Sequence, residues 1–269
     1  MSSLSKKFYL FLFMLFLFSS VSLFGNSVWA MEPIEFFTLE EVIVIGSKYP
    51  QILIDSISSV EMISEEEITN NQSENLAGIL KAIAGIEIVD YGSQGDIKAA
   101  SIRGSSPEQV LIMIDGQVVN SPQTGKIDLG LIPANIIEKI EIYRGPASAL
   151  YGANALGGAI NIITKSGEEE KKTVAGVYYG NYSTQKYVAS YQNKSNDMGY
   201  FFTAEYYKTE GDRENSQLDK VSFMGKISKK IDQQTELGLA IRYHDYQRGL
   251  PGSLDYPTLN ALQNDRNFN

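Results

Sequence analysis

Apolar residues are spaced in four different ways along the 269 residues of this chain. Residues 8–18 are an unbroken apolar run behind Lys6 and Lys7, and Val28-Trp29-Ala30 follows. A basic start, a short apolar core and small residues before a cleavage point are the pattern of a secretory signal peptide over residues 1–30. A spanning helix needs about 20 apolar residues, and Ser19, Ser20 and Ser22 interrupt this run. Residues 31–50 read as a flexible segment with one β-prone island, Glu41-Val42-Ile43-Val44-Ile45. From 51 to 165 the pattern is mixed. Ser64-Glu65-Glu66-Glu67 has capping-box spacing. Leu76, Ile79, Leu80 and Ile83 follow at i, i+3, i+4 and i+7, which predicts a helix near 74–83 that Gly85 would stop. Strands are expected at 86–89, at Val110–Ile114 with a hairpin turn at Asp115-Gly116, at Ile137–Tyr143 after a helical turn begun by Pro133, and at 159–163.

Beyond 171 the period becomes two. Tyr187, Ala189 and Tyr191 alternate with Lys186, Val188, Ser190 and Gln192. Val221, Phe223, Gly225 and Ile227 alternate with Ser222, Met224, Lys226 and Ser228. Leu237, Leu239, Ile241 and Tyr243 alternate with Gly238, Ala240, Arg242 and His244. With 173–180 and 198–208 these make about five strands near the 9–11 residues of a tilted membrane strand. The connections at 193–197 and 229–234 are short, whereas 209–218 and the tail after Tyr246 are longer, as periplasmic turns and outer loops would be. A soluble β-meander with one wet face has the same period.

Composition narrows the classes. The formal charge is −9, and removing residues 1–30 takes away two lysines and no acid, giving −11. Such an acidic chain does not suit nucleic acid, whose phosphates need clustered Lys and Arg. The chain contains no cysteine, so it has neither disulfides nor thiolate metal sites nor a lipoprotein anchor. His244 is the only histidine, so neither a His-based metal cluster nor a Ser-His-Asp triad can be assembled. Ser183-Thr184-Gln185-Lys186 fits S-x-x-K without its companion motifs. The glycines at 145, 152, 157 and 158 lack the Gly-Lys-Ser/Thr of a phosphate loop. No catalytic residue, metal or cofactor is expected, and Glu168, Glu169 and Glu170 with Lys171 and Lys172 read as a solvated linker.

Residues 101–164 carry the positive signal. Ile102-Arg103-Gly104, Ile114-Asp115-Gly116, Arg144-Gly145-Pro146, Tyr151-Gly152 and Gly157-Gly158-Ala159-Ile160-Asn161 occur in order. They resemble the IRG, IDG, RGP, YG and GG.IN pattern of the plug domain of TonB-dependent outer-membrane receptors, nearest in look to the vitamin B12 (cobalamin) receptor branch. The resemblance implies an α+β plug domain over 51–165. It is followed over 171–269 by the first ~5 antiparallel strands of a transmembrane β-barrel, truncated, because plugged transporters close with about 22 strands.

The same resemblance implies partners and sites. Glu41, Val42, Ile43, Val44 and Ile45 resemble a TonB box, offered as an added strand to the periplasmic TonB protein; an ordinary first plug strand is the competing reading. Arg103 and Arg144 would gate and dock the plug through barrel-wall carboxylates, for which a guanidinium fork is suited. Ligand contacts would come from plug loops at 91–96 and 118–125, with Ser93, Gln94, Gly95, Val119, Asn120, Ser121, Gln123 and Thr124 as candidates. The implied function is energised uptake of a small ligand, cobalamin or else an iron chelate (siderophore) or haem, through the outer membrane of a Gram-negative-type bacterium. A soluble periplasmic plug-like binding module is the alternative of another class.

Overall fold

The computed structural model describes residues 42–43, 51–52, 60–90, 97–145, 148, 153–167, 170–231, 236–252 and 262–268. The expected signal peptide therefore lies outside the described residues. The chain divides into two compact units between Thr164 and Lys165. Strands β1 (Val42–Ile43) and β2 (Gln51–Ile52) pair antiparallel, Val42 opposite Ile52. The first unit continues with β3 (Val60–Ile63), α1 (Glu65–Asn71), α2 (Leu76–Lys81), β4 (Ile86–Asp90), β5 (Lys98–Ile102), β6 (Val110–Ile114), β7 (Gln117–Val118), β8 (Ile137–Tyr143) and β9 (Gly158–Thr164).

Local chemistry starts both helices. The Ser64 N–H donates to Glu67 Oε2 at 2.8 Å, and the Glu67 N–H donates to Ser64 Oγ at 3.3 Å, completing the capping box. That backbone donor holds the Glu67 carboxyl below its ordinary value, and three glutamates in the first turn complement the helix dipole. Asn75 caps α2 by accepting from the Gly78 N–H at 3.1 Å. This helix is shorter than its periodicity suggested, ending at Lys81 before Gly85 turns the chain at φ 76°.

The three apolar runs legible in the sequence are the middle of one sheet, ordered β3-β8-β9-β6-β7. β9 lies parallel to β6 and antiparallel to β8. Its neighbours on both sides explain why Ile140, Ile142, Ile160 and Ile162 are all fully buried, and why these strands read as continuous apolar runs rather than alternating ones. α1 lies against β8, while α2 lies against β4 and β5. At Asp115-Gly116 both residues have positive φ, 50° and 78°, the backbone a two-residue hairpin needs.

The second unit is a six-stranded antiparallel meander: β10 (Lys172–Gly180), β11 (Thr184–Ser195), β12 (Met198–Thr209), β13 (Leu218–Lys230), β14 (Glu236–Gly249) and β15 (Leu262–Phe268). The tail after Tyr246, read above as loop, thus contains the end of β14 and one further strand. Register places Tyr187, Tyr206 and Val221 in one row, Ala204, Phe223 and Tyr243 in the next, and Tyr200, Ile227 and Leu239 below. All lie on one face, with Leu237 and Leu239 65% and 63% exposed. The opposite face carries Lys186, Ser190, Gln192, Thr203, Glu205, Lys220, Ser222, Arg242 and His244. There Glu205 sits between Lys220 at 3.0 Å and Lys186 at 3.5 Å. A buried carboxylate keeps its charge only with such partners.

Candidate functional site: the linked motifs and the 119–126 loop

Two of the motifs, Asp115-Gly116 and the strand that carries Asn161, meet in space through hydrogen bonds. Asp115 accepts from the Thr164 N–H at 2.9 Å and from Thr164 Oγ1 at 2.7 Å, and its own N–H donates to the Ile162 carbonyl at 2.8 Å. Asn161 Oδ1 accepts from the Gly116 N–H at 3.0 Å, while its Nδ2 donates to Glu141 Oε2 at 3.1 Å. Asn161, Glu141 and Thr164 are fully buried. The aspartate-glycine turn is thereby fastened to the strand by which the chain leaves this unit. Sequence reasoning placed Asn161 on that strand but missed this bond, because nothing in the spacing links positions 45 residues apart.

The glycines of the same region mark close backbone approaches. At Gly158, with φ 149°, an added Cβ would run into the Tyr143 carbonyl oxygen. At Gly157 it would meet the Ser105 side chain. Gly152 lies outside the described residues.

The two arginines differ in setting. Arg103 is exposed and sits at φ 52° before Gly104 at φ 77°, and its N–H donates to the Gly85 carbonyl at 3.1 Å. This tight turn explains the glycine beside it. Arg144 is ion-paired with Glu61 on β3, and its Nη2 donates to the Ala84 carbonyl at 2.8 Å. A carboxylate of its own unit therefore already engages Arg144.

Of the strand-like island, Val42 and Ile43 form β1, and Glu41, Val44 and Ile45 lie outside the described residues. Ser93, Gln94 and Gly95 also lie outside them. The other candidate loop is well defined. The Val119 N–H donates to the Ile112 carbonyl at 3.0 Å. The Ser121 N–H donates to the Lys126 carbonyl and the Gly125 N–H to the Ser121 carbonyl, both at 2.8 Å. Ser121 Oγ accepts from the Gln123 and Thr124 N–H groups at 3.3 and 3.4 Å. Pro122, Gln123 and Thr124 are exposed, and Asn120 is buried beneath them. Lys126 pairs with Glu108 at 2.7 Å and pulls its carboxyl down to about 2.

Plug-like motifs fastened to a central strand, followed at once by an antiparallel sheet with one apolar and one polar face, define a class of protein. Residues 53–159 match the family described as the TonB-dependent Receptor Plug Domain, and the chain carries that plug followed by an antiparallel sheet consistent with the opening strands of a β-barrel wall. Within the class it is similar to vitamin B12 receptors. It is 34% identical over 242 residues to the vitamin B12 transporter BtuB of Vibrio vulnificus, covering 86% of this chain and 38% of that protein. With the transporter of the same name from Vibrio cholerae it shares 31% identity over 147 residues, covering 55% and 24%. Among solved structures, the siderophore receptor PiuA from Acinetobacter baumannii superposes with a TM-score of 0.60 at 23% identity, covering 73% of this chain and 28% of that one. The ferripyoverdine receptor of the outer membrane of Pseudomonas aeruginosa gives 0.64 at 16% identity, covering 77% and 28%. At such identities the structures speak for the fold alone. The chain spans well under half the length of the curated relatives it matches.

Proposed function

We propose that this chain is the gated first part of an outer-membrane receptor that captures cobalamin and takes it up at the expense of energy relayed by TonB. The observation that carries the reading is a plug whose Asp115-Gly116 turn is tied to β9 through Asn161 and Thr164, followed along the chain by an antiparallel sheet with one apolar and one polar face. A wall between lipid and an aqueous lumen needs those two faces. Its hydrocarbon setting also needs every strand edge paired, so the wall closes by further strands on β10 and β15. The large exposed leucines of β14 disfavour a soluble periplasmic module.

Within this reading Glu41, Val42, Ile43, Val44 and Ile45 are the TonB-binding segment. The pairing of Val42–Ile43 with Gln51–Ile52 supports it, because these two residues take the extended, strand-pairing form that strand addition requires. Arg103 and Arg144 govern how the plug is held. Ser93, Gln94, Gly95, Val119, Ser121, Gln123 and Thr124 supply ligand contacts. Residues 1–30 direct export and are removed.

An iron chelate is the second reading, because the plug match over residues 53–159 names no ligand. Equilibrium binding to the detergent-solubilised receptor separates the two. Saturable cyanocobalamin binding that excess ferric siderophore does not displace is the expected result. Saturable ferric siderophore binding with none for cyanocobalamin would overturn the ligand assignment.

A further inference from the structure

The carboxamide of Asn120 occupies a place that backbone would normally fill. On one edge β6 is paired along its whole length with β9. On the other, β7 covers only Met113 and Ile114. The Val119 N–H adds one bond, to the Ile112 carbonyl at 3.0 Å. From there the chain turns away into the 121–126 loop, which would strand the Ile112 N–H and the Val110 carbonyl on a buried strand. Asn120 satisfies both: its Oδ1 accepts from the Ile112 N–H at 2.7 Å, and its Nδ2 donates to the Val110 carbonyl at 3.0 Å. An acceptor for the N–H of one residue and a donor to the carbonyl two positions before it are what a single residue of a parallel partner strand presents. The second hydrogen of Nδ2 goes to the Gly125 carbonyl at 2.8 Å, so the same side chain grips the returning leg of the loop.

We propose that Asn120 is the positioning residue of the ligand loop: its carboxamide replaces the missing rungs beside β6 and, through Gly125, fixes the turn that presents Gln123 and Thr124. This rests on the reading of 118–125 as a ligand loop and assigns Asn120 a role beneath the ligand rather than against it. Only asparagine fits without loss. Glutamine is longer by one methylene. Alanine deletes three hydrogen bonds. Aspartate keeps the acceptor for the Ile112 N–H but turns an acceptor oxygen toward the Val110 and Gly125 carbonyls. Protonating that aspartate restores one donor, so its defect is reversible with pH.

The test compares wild type, Asn120→Ala and Asn120→Asp in the detergent-solubilised receptor, by amide-exchange protection of residues 121–125 and by cyanocobalamin binding. Both variants are expected to lose protection in the loop at pH 7.5 and to bind about tenfold or more weakly, as befits buried backbone groups left without partners. On lowering the pH to 5, Asn120→Asp should regain protection and affinity, while Asn120→Ala should not. The rescue also certifies that the aspartate variant folds. Weakened binding with unchanged loop protection and no rescue would make Asn120 a ligand contact and overturn the proposal, as would wild-type protection in both variants. Should no form bind cyanocobalamin while the loss and acid rescue of protection hold, the ligand assignment fails and the positioning role stands.

Discussion

Glu108 and Lys126 show how one exposed pair can be read out cleanly. Their 2.7 Å contact holds the Glu108 carboxyl at about 2. A depressed carboxyl contributes stability above its ordinary value of about 4.5, and loses that contribution as pH falls from there toward about 2. Because the pair is exposed, its worth to the fold is small. Lys126→Ala is expected to raise the Glu108 titration, followed by carboxyl NMR shifts, from about 2 toward 4.5, with the Ser106 hydroxyl and the local backbone keeping part of the depression. A titration still near 2 would deny the pair its role. Turn and cap residues of this kind were legible in advance: Ser64 and Glu67 from their spacing, and Asp115-Gly116 from its need for positive φ. Asn120 read as a ligand contact in a turn-rich loop and Asn161 as a residue of the strand leaving the plug, neither as a strut. Their partners are set by tertiary pairing, which local sequence does not encode.

Strands followed the sequence where alternation or apolar content was strong. β6, β8 and β9 announced themselves because burial on both faces demands continuous apolar runs. β5 and β15 did not. Two alanines in Lys98–Ile102, and Asn264, Asp265 and Asn267 in Leu262–Phe268, give little β preference, so pairing with β4 and β14 decides their form. In β13 the alternation has a direct energetic consequence. Phe223 lies on the apolar face between Ala204 and Tyr243, and Ser222 on the polar face between Glu205 and His244. Phe223→Arg is expected to destabilise folding into lipid vesicles by about 2–4 kcal/mol, the cost of a lipid-facing arginine at mid-depth, and Ser222→Arg on the polar face by clearly less. Equal penalties, measured by reversible urea unfolding from vesicles, would contradict the assignment of faces.

For the molecule as a whole, topology separates the strands by which the chain enters and leaves the plug. β3 is an edge strand, held by β8 and by the Arg144–Glu61 pair. β9, which leads toward the wall, is hydrogen-bonded on both sides and tied again by Asp115 and Asn161. Under the proposed coupling to TonB, a load applied ahead of β3 would meet the less-paired side of the sheet first. Coupling through residues 41–45 is therefore the central claim, and uptake of labelled cyanocobalamin by cells producing the receptor tests it most directly. Ile43→Pro removes a backbone donor from the segment while leaving ligand contacts untouched. The account predicts wild-type surface binding with uptake reduced to the level of cells lacking TonB. Undiminished TonB-dependent uptake in the Ile43→Pro receptor would contradict it.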